Sequence, residues 1–318
     1  MDDMRAIDLF CGAGGSSLGA MAAGVEIVAG FDVWPVAGRV YAANFPRARF
    51  HLRDLAILTE SDVRAIRDDL GPVDLLLASP PCTDHSPARG ARSRCEKSLD
   101  LPWCVWAFAR VFRPRWIVVE NVVQMRRWHG FWAFLYALMH LGYCVRVQVL
   151  DAADFGVPQR RRRLYIVCDR EADPPGIAPR TSERIPVARV IDLDGYAYTP
   201  LRTPRRAHAT IERVERALRA LGRDATFLSV YYGSGPQWQT LDVPLRTVTT
   251  RGHFALVRPD RCGGHEMRML QVDELRRAMG FPASFVLDGC TRTDAMRLLG
   301  NAVCPPVMQA IVESLRGA

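Results

Sequence analysis

From Met4 to Asp169 the chain alternates short apolar runs with longer amphipathic stretches, and no other feature constrains its fold as tightly. MRAIDLF (4–10), VEIVAGFDV (25–33), DLLLAS (74–79), WIVVEN (116–121), YCVRVQVL (143–150) and RLYIVC (163–168) read as buried strands. Between them WPVAGRVYAANF, PWCVWAFARVF (102–112) and HGFWAFLYALMHLG (129–142) read as helices. Strand–helix alternation predicts an α/β fold: a Rossmann-like, mostly parallel sheet with helices on both faces. In such a sheet, ligands are expected beyond the carboxyl ends of the strands.

The pattern changes after Asp169. Residues 171–206 are rich in Pro, Arg and Thr, and IERVERALRALG (211–222) carries Ile211, Val214, Leu218 and Leu221 on one helical face. FLSVYYG and LRTVTT have strand propensity. Residues 170–265 hold 15 Arg against 10 acidic residues, which suggests a smaller basic domain. From 266 to 318, DELRRAMG and a helix around PVMQAIVESL are amphipathic and are expected to return to the first domain. The expected division is therefore 1–169, 170–265 and 266–318.

The 318 residues carry a net charge of +8, and Lys97 is the only lysine. Arginine forks suit phosphates and guanine edges, although arginine can also dominate through codon bias. No stretch approaches the roughly 18–20 apolar residues of a membrane span, and the opening lacks a basic-then-apolar export signal. A cytoplasmic protein that does not engage membranes is expected. Nine cysteines with no CxxC pair read as reduced thiols. Cys262-Gly-Gly-His265 lacks a second ligand pair at metal-site spacing, so no metal is expected.

Several residues stand at the predicted carboxyl ends of strands. DLFCGAGGSSLG (8–19) follows one strand and opens a helix, so its glycines and free helix N–H groups could cradle a ligand; a tight turn is the plainer reading. Asp32 ends the second strand, placed either for ribose hydroxyls or as a helix cap. Asp54 is a similar candidate for an adenine amine. Pro80-Pro81-Cys82 sets a thiol on a stiff loop. Alone, such a cysteine is more often a core thiol. Glu120 and Asn121 follow four apolar residues, where a carboxylate needs a partner or a function. In FGVPQRRRRLYIV (155–167), alternation sends Arg161 and Arg163 to one side and Arg160 and Arg162 to the other.

Together these segments resemble the DNA (cytosine-5) methyltransferase family over nearly the whole chain, in the family's order. Asp8-Leu9-Phe10 with Gly12, Gly14 and Gly15 resembles its DLFxGxGG element. Pro81-Cys82 is similar to its Pro-Cys nucleophile, Glu120-Asn121-Val122 to its ENV triplet, and Gln159, Arg161 and Arg163 to its QxRxR pattern. RMLQVDELRRAMGFP (268–282) resembles the element after the recognition domain, and Gly300-Asn301-Ala302-Val303 the closing GNxV. Thr83-Asp84-His85-Ser86 depart from the family's usual Gln and Phe-Ser, and Val33 with Trp34 shift the aromatic expected after Asp32 by one place.

The resemblance implies a class I methyltransferase fold, with residues 170–265 as a target-recognition domain and S-adenosylmethionine as methyl donor. Cytosine would be flipped out of duplex DNA. Cys82 would attack carbon 6, Glu120 would serve the base edge at N3, and Arg161 or Arg163 would support the base and the thiol. Asp8, Phe10, Gly12, Gly14, Asp32, Asp54, Leu55, Pro80, Leu101, Asn301 and Val303 would surround the cofactor. Asn121, Gln159, Arg246 and Arg251 are expected at the substrate, with Tyr231, Tyr232, Gln237, Trp238, Thr249 and Thr250 as further base or phosphate contacts. A monomer with a cognate restriction endonuclease is expected. The alternatives are a tRNA cytosine substrate, a DNA-binding module without catalysis, or a modified sulfonium donor.

Overall fold

The computed structural model describes residues 4–81, 101–233 and 235–317. Seven strands form the first sheet: β1 (Arg5–Leu9), β2 (Glu26–Asp32), β3 (Arg49–Leu52), β4 (Leu75–Ala78), β5 (Trp116–Asn121), β6 (Cys144–Asp151) and β7 (Arg162–Asp169). Their order is β3-β2-β1-β4-β5-β7-β6. The first five run parallel, whereas β7 is antiparallel to both β5 and β6. The mostly parallel sheet expected from the sequence is thus present, with one reversed strand near its edge. The reversal follows from the short link between β6 and β7, which is too short for the helical crossover a parallel pair needs.

Period-two alternation divides the core. Ala6, Leu75, Leu77, Trp116 and Val118 face one apolar layer, while Ile7, Leu76, Ala78, Ile117 and Val119 face the other. The first layer holds α1 (Gly15–Ala22) and α2 (Pro35–Asn44); the second holds α3 (Glu60–Leu70), α4 (Leu101–Phe112) and α5 (Phe131–His140). Helix α3 was not anticipated, yet Thr59 and Asp62 form a reciprocal capping box at its start.

The second sheet has β8 (Thr199–Pro200), β9 (Phe227–Val230), β10 (Trp238–Thr240), β11 (Phe254–Pro259) and β12 (His265–Met269). It is antiparallel in the order β10-β9-β11-β12-β8. Helix α6 (His208–Leu221) covers one face through Val214, Ala217 and Leu218, packed with Phe227, Ala255 and Val257. The other face, with Leu228, Val230 and Leu256, joins the first core layer. Strand β12 begins at the boundary expected at 265 and runs four residues past it.

The chain then forms α7 (Val272–Ala278), α8 (Arg292–Asn301) and α9 (Pro305–Arg316). Helix α9 returns to α1 at close range: a Cβ on Gly19 would lie 2.4 Å from the Pro305 carbonyl oxygen. Arg292–Arg316 is long and apolar enough by composition to cross a membrane, contrary to the expectation that no stretch is, but 72% of its most apolar window is buried in the fold.

Candidate active site

The ends of β1, β2, β4 and β5 meet at one edge of the sheet, where the strand order reverses between β1 and β4. After β1 the backbone turns sharply: Phe10, Gly12 and Gly14 have φ of 56°, 51° and 83°. Gly14 is required twice over, because a Cβ there would also strike the Phe45 ring at 2.2 Å. At Gly12 nothing among the described residues lies within 4 Å of a built Cβ, so this part of the loop is open on that side. The first-turn amides of α1 have no carbonyl ahead of them and point from the same loop.

Asp32 braces this loop. Its Oδ2 accepts from the Gly12 amide at 2.9 Å and its Oδ1 from the Trp34 amide at 2.9 Å. Burial raises its pKa against these hydrogen bonds. Each carboxylate oxygen keeps a second lone pair for a ligand hydroxyl. Trp34 carries the Arg297 guanidinium over its ring at 4.4 Å, which ties α8 to this edge. Asp54 caps a turn through the Ala56 amide at 3.0 Å and stays exposed, whereas Leu55 is buried. Leu101 is half-buried at the start of α4, Asn301 is exposed at the end of α8, and Pro80 and Val303 are buried.

Asp8 does not line the crevice. Its side chain is 0% exposed, and Oδ2 accepts from Ser17 Oγ at 2.7 Å beneath the loop. The resemblance placed it among cofactor contacts; alternation along β1 instead points it into the core.

Glu120 ends β5 with 6% exposure and meets Arg163 Nε at 3.1 Å. Burial raises its carboxyl pKa, and Arg163 and Arg161 pull it back. Asn121 was expected at the substrate, but it is buried and donates to the Pro80 carbonyl at 3.1 Å, while its own Oδ1 accepts from the Val122 amide. It fixes the end of β4 against β5. Cys82 and Thr83–Ser86 lie outside the described residues.

The arginine run divides as alternation predicts. Arg160 and Arg162 are exposed; Arg161 and Arg163 point inward. Arg161 nevertheless does not share Arg163's place. It is 2% exposed and donates to the carbonyls of Val248, Gly300 and Ala302 at 3.0, 2.8 and 2.9 Å. Burial lowers its pKa to about 10, with Arg163 adding to the shift. Gln159 is 0% exposed; its amide donates to the Ala278 carbonyl at 3.1 Å and accepts from the Val248 amide at 2.9 Å. Both side chains are therefore clamps, in place of the catalytic and substrate contacts expected of them. They join the first sheet to the second domain and the C-terminal helices.

The family profile described as C-5 cytosine-specific DNA methylase matches residues 4–317. The chain belongs to the C-5 cytosine-specific DNA methylase family. Among its relatives, the Type II methyltransferase M.HindV of Haemophilus influenzae is 29% identical over 313 residues, covering 94% of this chain and 92% of that protein. M.HgiDI of Herpetosiphon aurantiacus is likewise 29% identical, over 94% and 90%. The fold matches the Entamoeba histolytica methyltransferase EhMeth with a TM-score of 0.71 at 16% identity, over 100% and 99% of the two chains. It matches a Spodoptera frugiperda DNMT2 mutant with a TM-score of 0.69 at 19% identity, over 99% and 100%.

In this methylase the second domain's candidates fall into two groups. Arg246 is held by the carbonyls of Pro236 and Trp238 at 2.7 and 3.2 Å, while Arg251 and Thr250 are exposed. Others are occupied locally: Gln237 accepts from Arg213 and Arg216, Tyr231 lies under Arg213, Tyr232 donates to the Thr247 carbonyl, and Thr249 pairs with His253. Sequence reasoning did not find Tyr165 and Cys304, which are buried beside Glu120 and Arg161; burial raises the Cys304 thiol to about 11. Nothing in their local motifs marks them. Among the described residues no cluster of His, Cys, Asp or Glu could hold a metal.

Proposed function

We propose that this methylase replaces the hydrogen on carbon 5 of a cytosine, flipped out of duplex DNA, with the methyl group of S-adenosylmethionine. The observation that carries the reading is Glu120: a buried carboxyl at the crevice end of β5, pushed toward its neutral form and held by Arg163. A neutral acid there can donate to cytosine N3 and stabilise charge as the ring is attacked. Cys82 supplies the attacking thiolate at carbon 6, forming a transient Sγ–carbon bond that makes carbon 5 nucleophilic. After methylation a base takes the carbon 5 proton, and the Sγ–carbon bond breaks to release Cys82 as thiolate. Arg163 steadies the Glu120 carboxyl; Arg161 acts at a distance, by holding the two domains around the crevice.

The loop fits the donor. The open space at Gly12, the turn at Phe10 and the braced Asp32 support a cradle for it, and the family resemblance assigns Asp54, Leu55, Pro80, Leu101, Asn301 and Val303 to its rim. S-adenosylmethionine, when bound, supplies an activated methyl group. The domain beyond Asp169 serves target recognition, with Arg246 and Arg251 at the DNA. We infer a cytoplasmic, monomeric enzyme; the Type II methyltransferase relatives support a role in protecting DNA from a cognate endonuclease.

Bisulfite sequencing of DNA from cells expressing the protein should reveal one methylated sequence. The Cys82→Ser protein should lose methylation while keeping DNA and cofactor binding. Unchanged activity in that variant would remove the mechanism, and methylation of tRNA without duplex DNA would replace the substrate.

A further inference from the structure

The catalytic and recognition domains are stitched together beside an open cleft of about 290 Å³. The Arg160 amide donates to the Leu245 carbonyl at 2.7 Å, and the Leu245 amide donates to the Pro158 carbonyl at 2.9 Å. Gln159 and Leu245 form a parallel bridge. Arg160 enters the cleft from the first domain and Arg246 from the second, and Trp238, Val243 and Pro244 supply an apolar wall. Among the described residues no carboxylate lines it. The Arg160 guanidinium has no partner among the described residues, and Arg246 is held by carbonyls alone. Among the described residues, two positive charges therefore stand without a carboxylate partner beside an apolar wall.

We propose that this cleft seats one phosphodiester and its deoxyribose, next to the flipped cytosine, with Arg160 as the phosphate contact. The proposal rests on the DNA reading above and names how that substrate is gripped. Arg160 is three residues from Arg163, the partner of Glu120, so along extended chain their Cα atoms lie at most ~10 Å apart, with the two side chains on opposite sides of the strand. The exposed fork offers free N–H donors to phosphate oxygens, and Arg246 holds the second charge in place. The apolar wall matches the sugar. Because Arg160 adjoins the clamps Gln159 and Arg161, a phosphate bound there would set the DNA relative to both domains at once.

The test uses the full chain, a fluorescein-labelled duplex carrying the site found by bisulfite sequencing, and the Arg160→Ala and Arg160→Lys variants. Each phosphate contact contributes about 0.9 to the slope of log affinity against log salt. Between 50 and 200 mM salt, Arg160→Ala should therefore lose about 3.5-fold less affinity than the parent protein. Its weakening should be equal on cognate and unrelated duplexes, and Arg160→Lys should restore the slope. In a scan of single methylphosphonates along the strands flanking the target, one position should weaken the parent protein but not Arg160→Ala. Binding of S-adenosylhomocysteine by calorimetry should match in all three, which reports intact folding. An unchanged slope in Arg160→Ala, or a loss confined to one base sequence, overturns the phosphate contact. A parent protein that does not bind duplex DNA overturns the DNA reading and this cleft with it; one that binds with no Arg160 effect overturns the cleft alone.

Discussion

Asp8 gives the glycine loop a pH-dependent support that one substitution can isolate. Its carboxyl is fully buried in β1, with Ser17 Oγ donating to Oδ2 at 2.7 Å and Tyr41 on the far side of Ser17 at 2.8 Å. Oδ1 has no hydrogen-bond partner among the described residues. Desolvation raises the pKa from 3.8 to about 7, more than the Ser17 hydrogen bonds lower it. A group raised on folding contributes stability that is full below its unfolded value and is lost as pH rises through its folded value. The window here runs from about pH 4 to about pH 7. One pKa unit is worth about 1.4 kcal/mol, so the full swing is about 4 kcal/mol, of which about 3 kcal/mol falls between pH 5 and pH 8. The Asp8→Asn protein keeps the shape and the acceptor for Ser17 but cannot ionise. Urea unfolding of both proteins across pH 5–8 should show the parent losing about 3 kcal/mol relative to the variant. Asp32 and Glu120 also have raised pKa values but are common to both proteins; Glu120 cancels in the difference, and Asp32 does so apart from its small charge coupling to Asp8. Stability curves that run parallel with pH would refute the assignment of a neutral Asp8.

Two further substitutions probe how the C-terminal segment closes the crevice. A Cβ on Gly15 would fall 2.1 Å from the Val303 carbonyl oxygen, which is backbone and cannot rotate aside. Gly15→Ala should cost about 1–3 kcal/mol in calorimetric unfolding and should raise the KM for S-adenosylmethionine, because α1 must part from the GNAV segment. Arg161→Met should remove charged donors from three buried carbonyls; at ~1–3 kcal/mol for each stranded group, a loss above ~3 kcal/mol is expected. Equal melting temperatures for Arg161→Met and the parent would show that the clamp is not needed.

Much of the first sheet is legible in the sequence because its strands are buried on both faces and read as continuous apolar runs. The reversed β7 is harder to see, since direction depends on the link between strands and not on strand composition. Helix α8 escapes the pattern because it packs through few residues, Ala295, Leu298 and Leu299, between charged ones. The same limit applies at the site. Strand ends locate Glu120 and Asp32 from the order of elements alone. What each side chain touches depends on chain that is distant in sequence: Arg161 reaches residues 87 to 141 positions away, and Gln159 one 119 positions away.

That distance explains why adjacent members of one motif have different tasks. Arg161 and Arg163 share a side of the strand, so spacing alone makes them equivalent. Three carbonyls surround the Arg161 guanidinium, and none of its side-chain hydrogen bonds goes to a carboxylate. A guanidinium so buried is tolerable only because carbonyl dipoles replace its hydration. Arg163 keeps some exposure and a carboxylate partner, so it can exchange contacts as a substrate enters. The crevice edge of the sheet decides between them: the residue nearer the domain joint is closed over by the returning chain, and the one nearer Glu120 stays open to the crevice.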